Sequence, residues 1–184
     1  MAQSATIIKA DLQIADMERG YYADHGLTLA QHPSETGERM MVRLLAFALH
    51  ASPQLAFTRG LCADDEPELW EKSLSGEIDL WVEVGLPDER RLRRACGRAR
   101  QVYVYAYGGH AASLWWEKNA RDLQRYDNLA VIELPLAASR ELAGLLARGM
   151  RLQCTVQDGQ VWLADGEQSI LIEPQLRYRG KALV

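Results

Sequence analysis

The chain has 184 residues, of which 48% are hydrophobic and 25% charged, and its formal net charge is −4. These values indicate one globular domain, residues 1–184, and exclude a membrane-spanning chain because no apolar run is long enough to cross a bilayer. The negative balance argues against a protein that coats nucleic acid. Scattered cysteines and histidines give no zinc-ligand spacing, and no secretion signal is recognisable, so we expect a cytoplasmic protein.

The first quarter of the chain predicts a β-hairpin and then a helix. Residues 5–16 and 20–31 alternate apolar and polar side chains on either side of "MERG", which is typical of two strands. In the following segment Ser34 can cap a helix and Pro53 lies beyond its end. Three side chains form the polar strip of this helix: Arg39, Arg43 and His50. Since the rest of its circumference is apolar, we expect it to be packed against other elements.

Strands and helices alternate from about residue 77 to residue 148. They follow in the order strand 77–85, helix 88–98, strand 100–108, helix 110–126, strand 129–135 and helix 137–149. This order is typical of right-handed crossovers in a parallel sheet. "ADDEPELWEK" before it reads as an acidic loop leading into a helical turn, and the tail returns to hairpins. The predicted class is α/β, with a mixed β-sheet, helices packed on it and flanking β-hairpins.

A row of acids marks the strand "EIDLWVEVG". Because side chains alternate along a strand, Glu77, Asp79, Trp81 and Glu83 should share one face. Helices should cover both faces of a parallel sheet, so buried carboxylates there need a cation. Mg²⁺, which binds carboxylate oxygens and water, would satisfy them. Two alternatives are acids exposed at the strand ends and a structural ion-pair network with the arginines of the next helix.

At these residues the sequence resembles a known family. "GEIDL" and "VEV" are similar to the halves of the PD-(D/E)XK nuclease motif, in which an aspartate on one strand and an acid-x-lysine triplet on the next hold Mg²⁺. Together with "HPSETGERMMVRLLAFAL" and "QDGQVWLAD", they resemble the YaeQ family over essentially the whole chain. The resemblance implies a compact variant of the PD-(D/E)XK nuclease core.

The resemblance also implies a site. It assigns Asp79 and Glu83 as metal ligands, adds Glu38 of the first helix as an assisting ligand, and makes Mg²⁺ the expected cofactor. Where the motif has lysine, this chain has Gly85. Arg91 or Arg94 on the next helix could substitute for it, with Arg94 as the candidate to face the phosphate, although a guanidinium is a poor group for proton transfer. The expected catalytic set is therefore Glu38, Asp79, Glu83 and Arg94.

The spacing of the two strand acids is a difficulty for this site. Four strand steps put the Cα atoms of Asp79 and Glu83 roughly 13 Å apart, which one ion cannot bridge. Either the strand bends between them or another acid, such as Glu77 or Glu38, supplies the second ligand.

Two further surfaces of this region are candidates for function. The segment "ERRLRRACGRAR" predicts a basic face, Arg90 to Arg100, that could contact nucleic-acid phosphates; a solvated face balanced by the acids of loop 64–68 is the alternative. The next strand places a polar row on one face: Gln101, Tyr103, Tyr105 and Tyr107. We expect this row to line the same cavity as the acids.

The leading functional hypothesis is a Mg²⁺-dependent nuclease or phosphodiesterase that acts on nucleic acid. The alternative is a scaffold of the same fold without catalysis, serving as a nucleic-acid or protein interaction module, and Gly85 at the lysine position favours it. The sequence is therefore consistent with an enzyme and with a protein without catalytic activity.

Overall fold

The computed structural model describes residues 4–183, apart from the side chain of Cys62. In chain order the strands are β1 (Thr6–Asp16), β2 (Tyr21–Gln31), β3 (Ala56–Phe57), β4 (Leu69–Lys72), β5 (Ile78–Val84), β6 (Ala99–Ala106), β7 (Leu129–Glu133), β8 (Gly149–Gln157), β9 (Gln160–Ala164), β10 (Ser169–Ile172) and β11 (Gln175–Arg179). The helices are α1 (Gly37–His50), α2 (Glu89–Arg98), α3 (His110–Leu123) and α4 (Leu136–Ala143).

These elements form two compact units. The first contains the described residues up to Ala51 together with Ala137–Pro174, and the second contains Ser52–Leu136 and the described residues from Gln175 onward. Each unit has its own mixed sheet. The α/β class is therefore confirmed, while the assignment of residues 1–184 to a single domain stays a prediction.

The first unit is built on a five-stranded sheet in the order β10-β9-β8-β1-β2. The predicted hairpin is confirmed, since β1 and β2 pair antiparallel over their whole length. β1 also pairs in parallel with β8. Alternate side chains of β1, from Ile8 to Ile14, are buried and α1 packs against this strand. The remaining side chains of β1 point to the opposite, open face.

Helix α1 begins later than its sequence predicts. Thr36, whose side chain accepts from the backbone N–H of Arg39, is its N-cap, while Ser34 hydrogen-bonds to His32 instead. Within the predicted polar strip, Arg43 is buried and donates to Glu35 at 2.9 Å. An arginine on the predicted polar strip is thus part of a buried ion pair.

The second unit contains a six-stranded sheet in the order β11-β7-β6-β5-β4-β3. β5, β6 and β7 are parallel and are connected through α2 and α3, which confirms the predicted crossovers. β3, β4 and β5 form an antiparallel meander. The final strand, β11, pairs with β7.

One predicted element of this unit is wrong. The sequence "PELWEK" was expected to start a helical turn, but Leu69–Lys72 form β4 and pair with β5. Leu69 is buried against the neighbouring strand, and cross-strand pairing outweighs the helix preference of the glutamates and lysine.

Trp81, Leu92, Val104 and Leu123 contribute to the core of this unit, so α2 and α3 pack on the sheet face that carries Trp81. None of the helices within the described residues is long and apolar enough to span a membrane.

Candidate functional site

The alternation predicted for β5 is interrupted at Asp79. Along β4 the pairing steps from Glu71 opposite Leu80 to Lys72 opposite Ile78, so Asp79 is an extra residue on β5. Such a bulge bends a strand and changes the direction of its side chains. The row of acids therefore does not continue unbroken from Asp79 to Glu83.

Asp79 lies at the more exposed end of β5 and pairs with an arginine of β6. The distance between Arg100 Nε and Asp79 Oδ1 is 3.3 Å, and the same guanidinium donates to Glu77 at 2.6 Å. Asp79 Oδ1 accepts no hydrogen bond from the described part of the chain. Two of the predicted acids thus share one partly exposed arginine.

Glu83, by contrast, is 2% exposed. Its Oε1 accepts from the indole N–H of Trp81 at 2.7 Å and from Arg91 Nε at 2.8 Å. Burial raises the pKa of the Glu83 carboxyl; Arg91 and Trp81 offset part of this rise, and the nearby charge of Glu68 adds to it. A buried acid with a shifted pKa and a specific charged partner is a candidate functional group.

Glu68 is a second buried acid near Glu83, and its charge contributes to the raised pKa of the Glu83 carboxyl. Glu68 is 3% exposed and directly precedes Leu69, which pairs with Val82 of β5. Its backbone N–H donates to the Val82 carbonyl at 3.0 Å. Glu68, directly before β4, and Glu83 of β5 are therefore two buried and electrostatically coupled acids, here called the glutamate pair.

Arg91 fixes the surroundings of the glutamate pair. Besides Glu83, its guanidinium donates to the carbonyl oxygens of Asp64 at 2.9 Å and Glu66 at 2.6 Å. The backbone N–H of Arg91 donates to Asp88, the N-cap of α2. One arginine thus joins the start of α2, the acidic loop 63–68 and β5.

Arg98 adds a second link to the same loop. Its guanidinium donates to the Asp65 carbonyl at 2.9 Å, and its Cζ lies 5.3 Å from the centre of the Trp81 ring. Arg91 and Arg98, both members of the predicted basic face, are therefore committed to structural contacts.

Three other arginines of this face are available for a ligand. Arg90, Arg93 and Arg94 are exposed, and their side chains form no hydrogen bond or ion pair with other residues that the structure describes. Their spacing along α2 places them on one side of the helix. The role of Arg94 toward a phosphate stays a prediction, and its exposed position is compatible with it.

Glu38 belongs to the first unit, whereas Asp79 and Glu83 belong to the second. In the first turn of α1 it accepts from the hydroxyl of Ser139 on α4 at 2.6 Å. Its assistance to a metal ion stays a prediction, as do the ligand roles of Asp79 and Glu83.

The tyrosine row of β6 does not share a face with Glu83. Val82 pairs with Tyr103 and Val84 with Tyr105, while Glu83 pairs with Val104. Side chains of paired residues project to the same side, so the tyrosines lie on the valine face. The prediction that they line one cavity with the acids is wrong because the parallel register was not readable from the sequence.

Gly85 at the motif's lysine position has a special backbone conformation. Its φ is +102°, which L side chains rarely adopt, and its N–H donates to the Tyr105 carbonyl at 2.9 Å. The glycine is therefore required by the local chain path, and a lysine there would be strained.

Sequence reasoning missed Glu68. The available signal was the dipeptide Pro67-Glu68 one short hairpin before "EIDLWVEVG", because the motif places its first acid on the strand adjacent to the acid-x-lysine strand. Interpreting this stretch as a helical turn concealed that relation.

The glutamate pair fits a hard divalent cation in its donor chemistry. Mg²⁺ commonly takes one or two protein carboxylates and completes its shell with water and substrate phosphate oxygens. Among the described residues, no group of three or more histidine, cysteine, aspartate and glutamate side chains is arranged to hold a metal ion. Two carboxylates are thus what the protein offers at this position.

The chain is similar to known proteins over most of its length. Residues 1–174 match a family described as "YaeQ protein". The chain is 47% identical over 170 residues to "Uncharacterized protein YaeQ" of Escherichia coli K12, covering 92% of this chain and 94% of that protein.

Two solved structures are also similar. The crystal structure of YaeQ protein from Xanthomonas axonopodis pv. citri has a TM-score of 0.93 and 52% identity, with 96% of this chain and 99% of that chain covered. YaeQ protein from Pseudomonas syringae has a TM-score of 0.91 and 35% identity, with 96% and 98% covered.

Proposed function

We propose, from the premise that this chain belongs to the YaeQ family, that the protein is a divalent-metal-dependent phosphodiesterase acting on nucleic acid in the cytoplasm. The observation that supports this most is the glutamate pair. Glu68 and Glu83 are two buried, electrostatically coupled acids, and a raised pKa on the Glu83 carboxyl beside a specific cation, Arg91, is typical of a functional group.

Each residue around the pair has a separate task in this proposal. Glu68 and Glu83 would hold Mg²⁺, which when bound lowers the pKa of water and polarises a phosphoryl oxygen. Trp81 and Arg91 fix the Glu83 carboxylate through two hydrogen bonds to one oxygen. Its second oxygen can then face the ion, and the buried surroundings limit water access.

The free arginines of α2 would bind the substrate. Arg90, Arg93 and Arg94 lie on the helix that also carries Arg91, so phosphates bound there are near the metal-binding edge of β5. Contacts of this kind position a nucleic acid without reading its sequence. We therefore expect a substrate recognised by its backbone.

Metal titration tests the proposal directly. Mg²⁺ and Mn²⁺ are titrated by calorimetry into the wild type, Glu68→Gln and Glu83→Gln, with Glu77→Gln as the control because Glu77 is exposed and pairs with Arg100. Removing a residue that only supports a metal ligand typically weakens metal binding by roughly 10-fold or more. Removing a ligand itself should weaken metal binding by more than this. The control should bind as the wild type does.

Cleavage is measured on labelled DNA and RNA with the same four proteins. Metal-dependent cleavage that disappears in Glu68→Gln and Glu83→Gln supports the proposal. Equal metal binding by wild type and both variants, or cleavage that survives in both, contradicts it.

A second candidate function is a nucleic-acid interaction module without catalysis. Gly85 favours it, since the position that carries the motif's lysine has a conformation unsuited to any side chain. Metal-independent binding of short DNA or RNA without cleavage would support this module. Absence of binding at every salt concentration would instead point to a protein partner.

A further inference from the structure

The open face of the first unit's sheet carries a groove along β1 and β8. Its floor consists of three side-chain pairs set by the parallel register: Asp11 and Arg151, Gln13 and Gln153, Ala15 and Thr155. Two adjoining cavities of about 500 and 340 Å³ lie over this floor and share Gln13, Asp24 and Gln153. Cavities of this size are typical of sites for small molecules and short chains.

Two exposed aromatic residues lie at one end of the groove: Tyr22 lines the smaller cavity, and Trp162 lies on β9 beyond its lining. Trp162 of β9 pairs with Thr155, Thr155 lies beside Ala15, and Ala15 pairs with Tyr22 of β2. Their Cα atoms are thus three strand spacings apart, roughly 14 Å, with two small residues between them. Trp162 is 40% and Tyr22 64% exposed, so ring faces are available to a ligand.

The polar side chains of the groove retain their hydrogen-bonding capacity. Asp11, Gln13, Asp24, Arg151 and Gln153 form no hydrogen bond or ion pair with one another or with the rest of the described chain. Amides both donate and accept, carboxylates accept, and the guanidinium donates. The floor therefore presents both donors and acceptors to a ligand.

The charges of the groove select against a polyanion. Asp11 and Asp24 outnumber Arg151, and Asp165 of the β9–β10 turn also lines the larger cavity. A nucleic-acid backbone needs a surplus of cations, which this groove lacks. The uncharged amides of Gln13 and Gln153 both donate and accept hydrogen bonds, which matches the hydroxyl groups of a neutral ligand.

We propose that this groove binds a neutral oligosaccharide. A sugar ring offers an apolar C–H face to Trp162 or Tyr22, while its hydroxyls donate to Asp11 and Asp24 and accept from Arg151. The ligand lies along β1 and β8, from the aromatic end toward Asp11. The site is separate from the glutamate pair, which belongs to the second unit.

Nuclear magnetic resonance titration tests this site. Cellohexaose, maltohexaose and chitohexaose are added in turn to ¹⁵N-labelled protein, and the backbone amides and the Trp162 indole N–H are followed. We expect at least one saccharide to shift resonances of β1 and β8 together with the indole. Trp162→Ala should weaken binding about tenfold, the equivalent of one ring contact, and Trp162→Phe should restore part of it.

Leu176→Ala is the matched control, because Leu176 is 58% exposed on β11 in the second unit. It should bind saccharide as the wild type does, and circular dichroism checks that every variant folds. Mg²⁺ binding should be unchanged in Trp162→Ala, which separates this test from that of the glutamate pair.

The proposal is overturned if none of the three saccharides shifts groove resonances, or if Trp162→Ala binds as tightly as the wild type. It is likewise overturned if a lysine-rich peptide or a short DNA shifts these resonances and the saccharides do not.

Discussion

At the scale of single residues, Glu83 makes folding stability depend on pH in an unusual direction. Because its pKa is raised above its ordinary value of 4.5, the folded protein keeps the proton to higher pH than the unfolded chain does. The free energy of unfolding therefore falls as pH rises through the window between the two pKa values. Carboxylates stabilised by ion pairs behave in the opposite way.

We predict that Glu83→Gln removes this pH dependence. The difference in unfolding free energy, wild type minus variant, should decrease as pH rises from below 4.5 to 7, because only the wild type has a buried carboxyl to ionise. Urea unfolding at several pH values measures this difference. A difference that grows with pH would mean that Arg91 outweighs burial and lowers the pKa.

Gly85 decides whether the motif's lysine can be restored. Gly85→Lys places a side chain at φ +102°, where an ordinary residue costs about 1–3 kcal/mol. We expect a loss of stability of this size, whereas Gly97→Ala, a substitution on α2 with open space around the new Cβ, should be neutral or stabilising. Thermal unfolding of both variants checks the prediction, and an unchanged Gly85→Lys would contradict it.

At the scale of elements, α2 and the acidic loop form one assembly through Arg91 and Arg98. The sequence indicated both pieces and a charge balance between them, but not hydrogen bonds to the backbone carbonyls of the loop. Arginines at helical spacing looked like a continuous basic face, yet two of them turn toward backbone carbonyls of the loop. Such contacts join residues more than twenty positions apart and leave no periodic signal.

We predict that Arg91→Ala loosens this loop. The substitution removes its hydrogen bonds to the carbonyls of Asp64 and Glu66 and leaves Glu83 without its cation. Amide hydrogen exchange of residues 63–68 should then accelerate, because local opening needs less free energy. Arg93→Ala is the control, and equal exchange in the two variants would show that the loop is held by other contacts.

The length and periodicity of each element explain which elements could be predicted. Long amphipathic segments such as β1, β2 and α1 have strong periodicity, and their predicted bounds differ from the observed ones by a few residues. β4 has four residues, too few for a period, and its partner across a turn determines its state. The bulge at Asp79 also depends on pairing, so the sequence could not show that the acid row is interrupted.

At the scale of the whole molecule, the proposed nucleic-acid binding must be reconciled with a net charge of −4. Overall charge does not describe its distribution, since the side chains of Arg90, Arg93 and Arg94 concentrate positive charge on one side of α2. Their local field can attract phosphates although the average over the chain is negative. The sequence predicted this face, and the structure reduces its available members to these three.

The salt dependence of binding can count the arginines that contact phosphate. Each neutralised phosphate contributes about −0.9 to the slope of log affinity against log salt on duplex DNA. Replacing Arg90, Arg93 and Arg94 by alanine should therefore make the slope less negative by roughly three such contributions and weaken binding uniformly across sequences. Fluorescence anisotropy with short duplexes at several salt concentrations measures both quantities.

The control for this experiment carries the same loss of charge elsewhere. Arg121→Ala, Arg140→Ala and Arg148→Ala, combined in one variant, remove three exposed arginines whose side chains make no hydrogen bond or ion pair within the described residues. If binding depends on total charge, the two triple variants will change the slope equally. If α2 carries the contacts, only the α2 variant will make the slope of log affinity against log salt less negative. In that case the negative net charge of the molecule keeps nucleic acid away from its other surfaces.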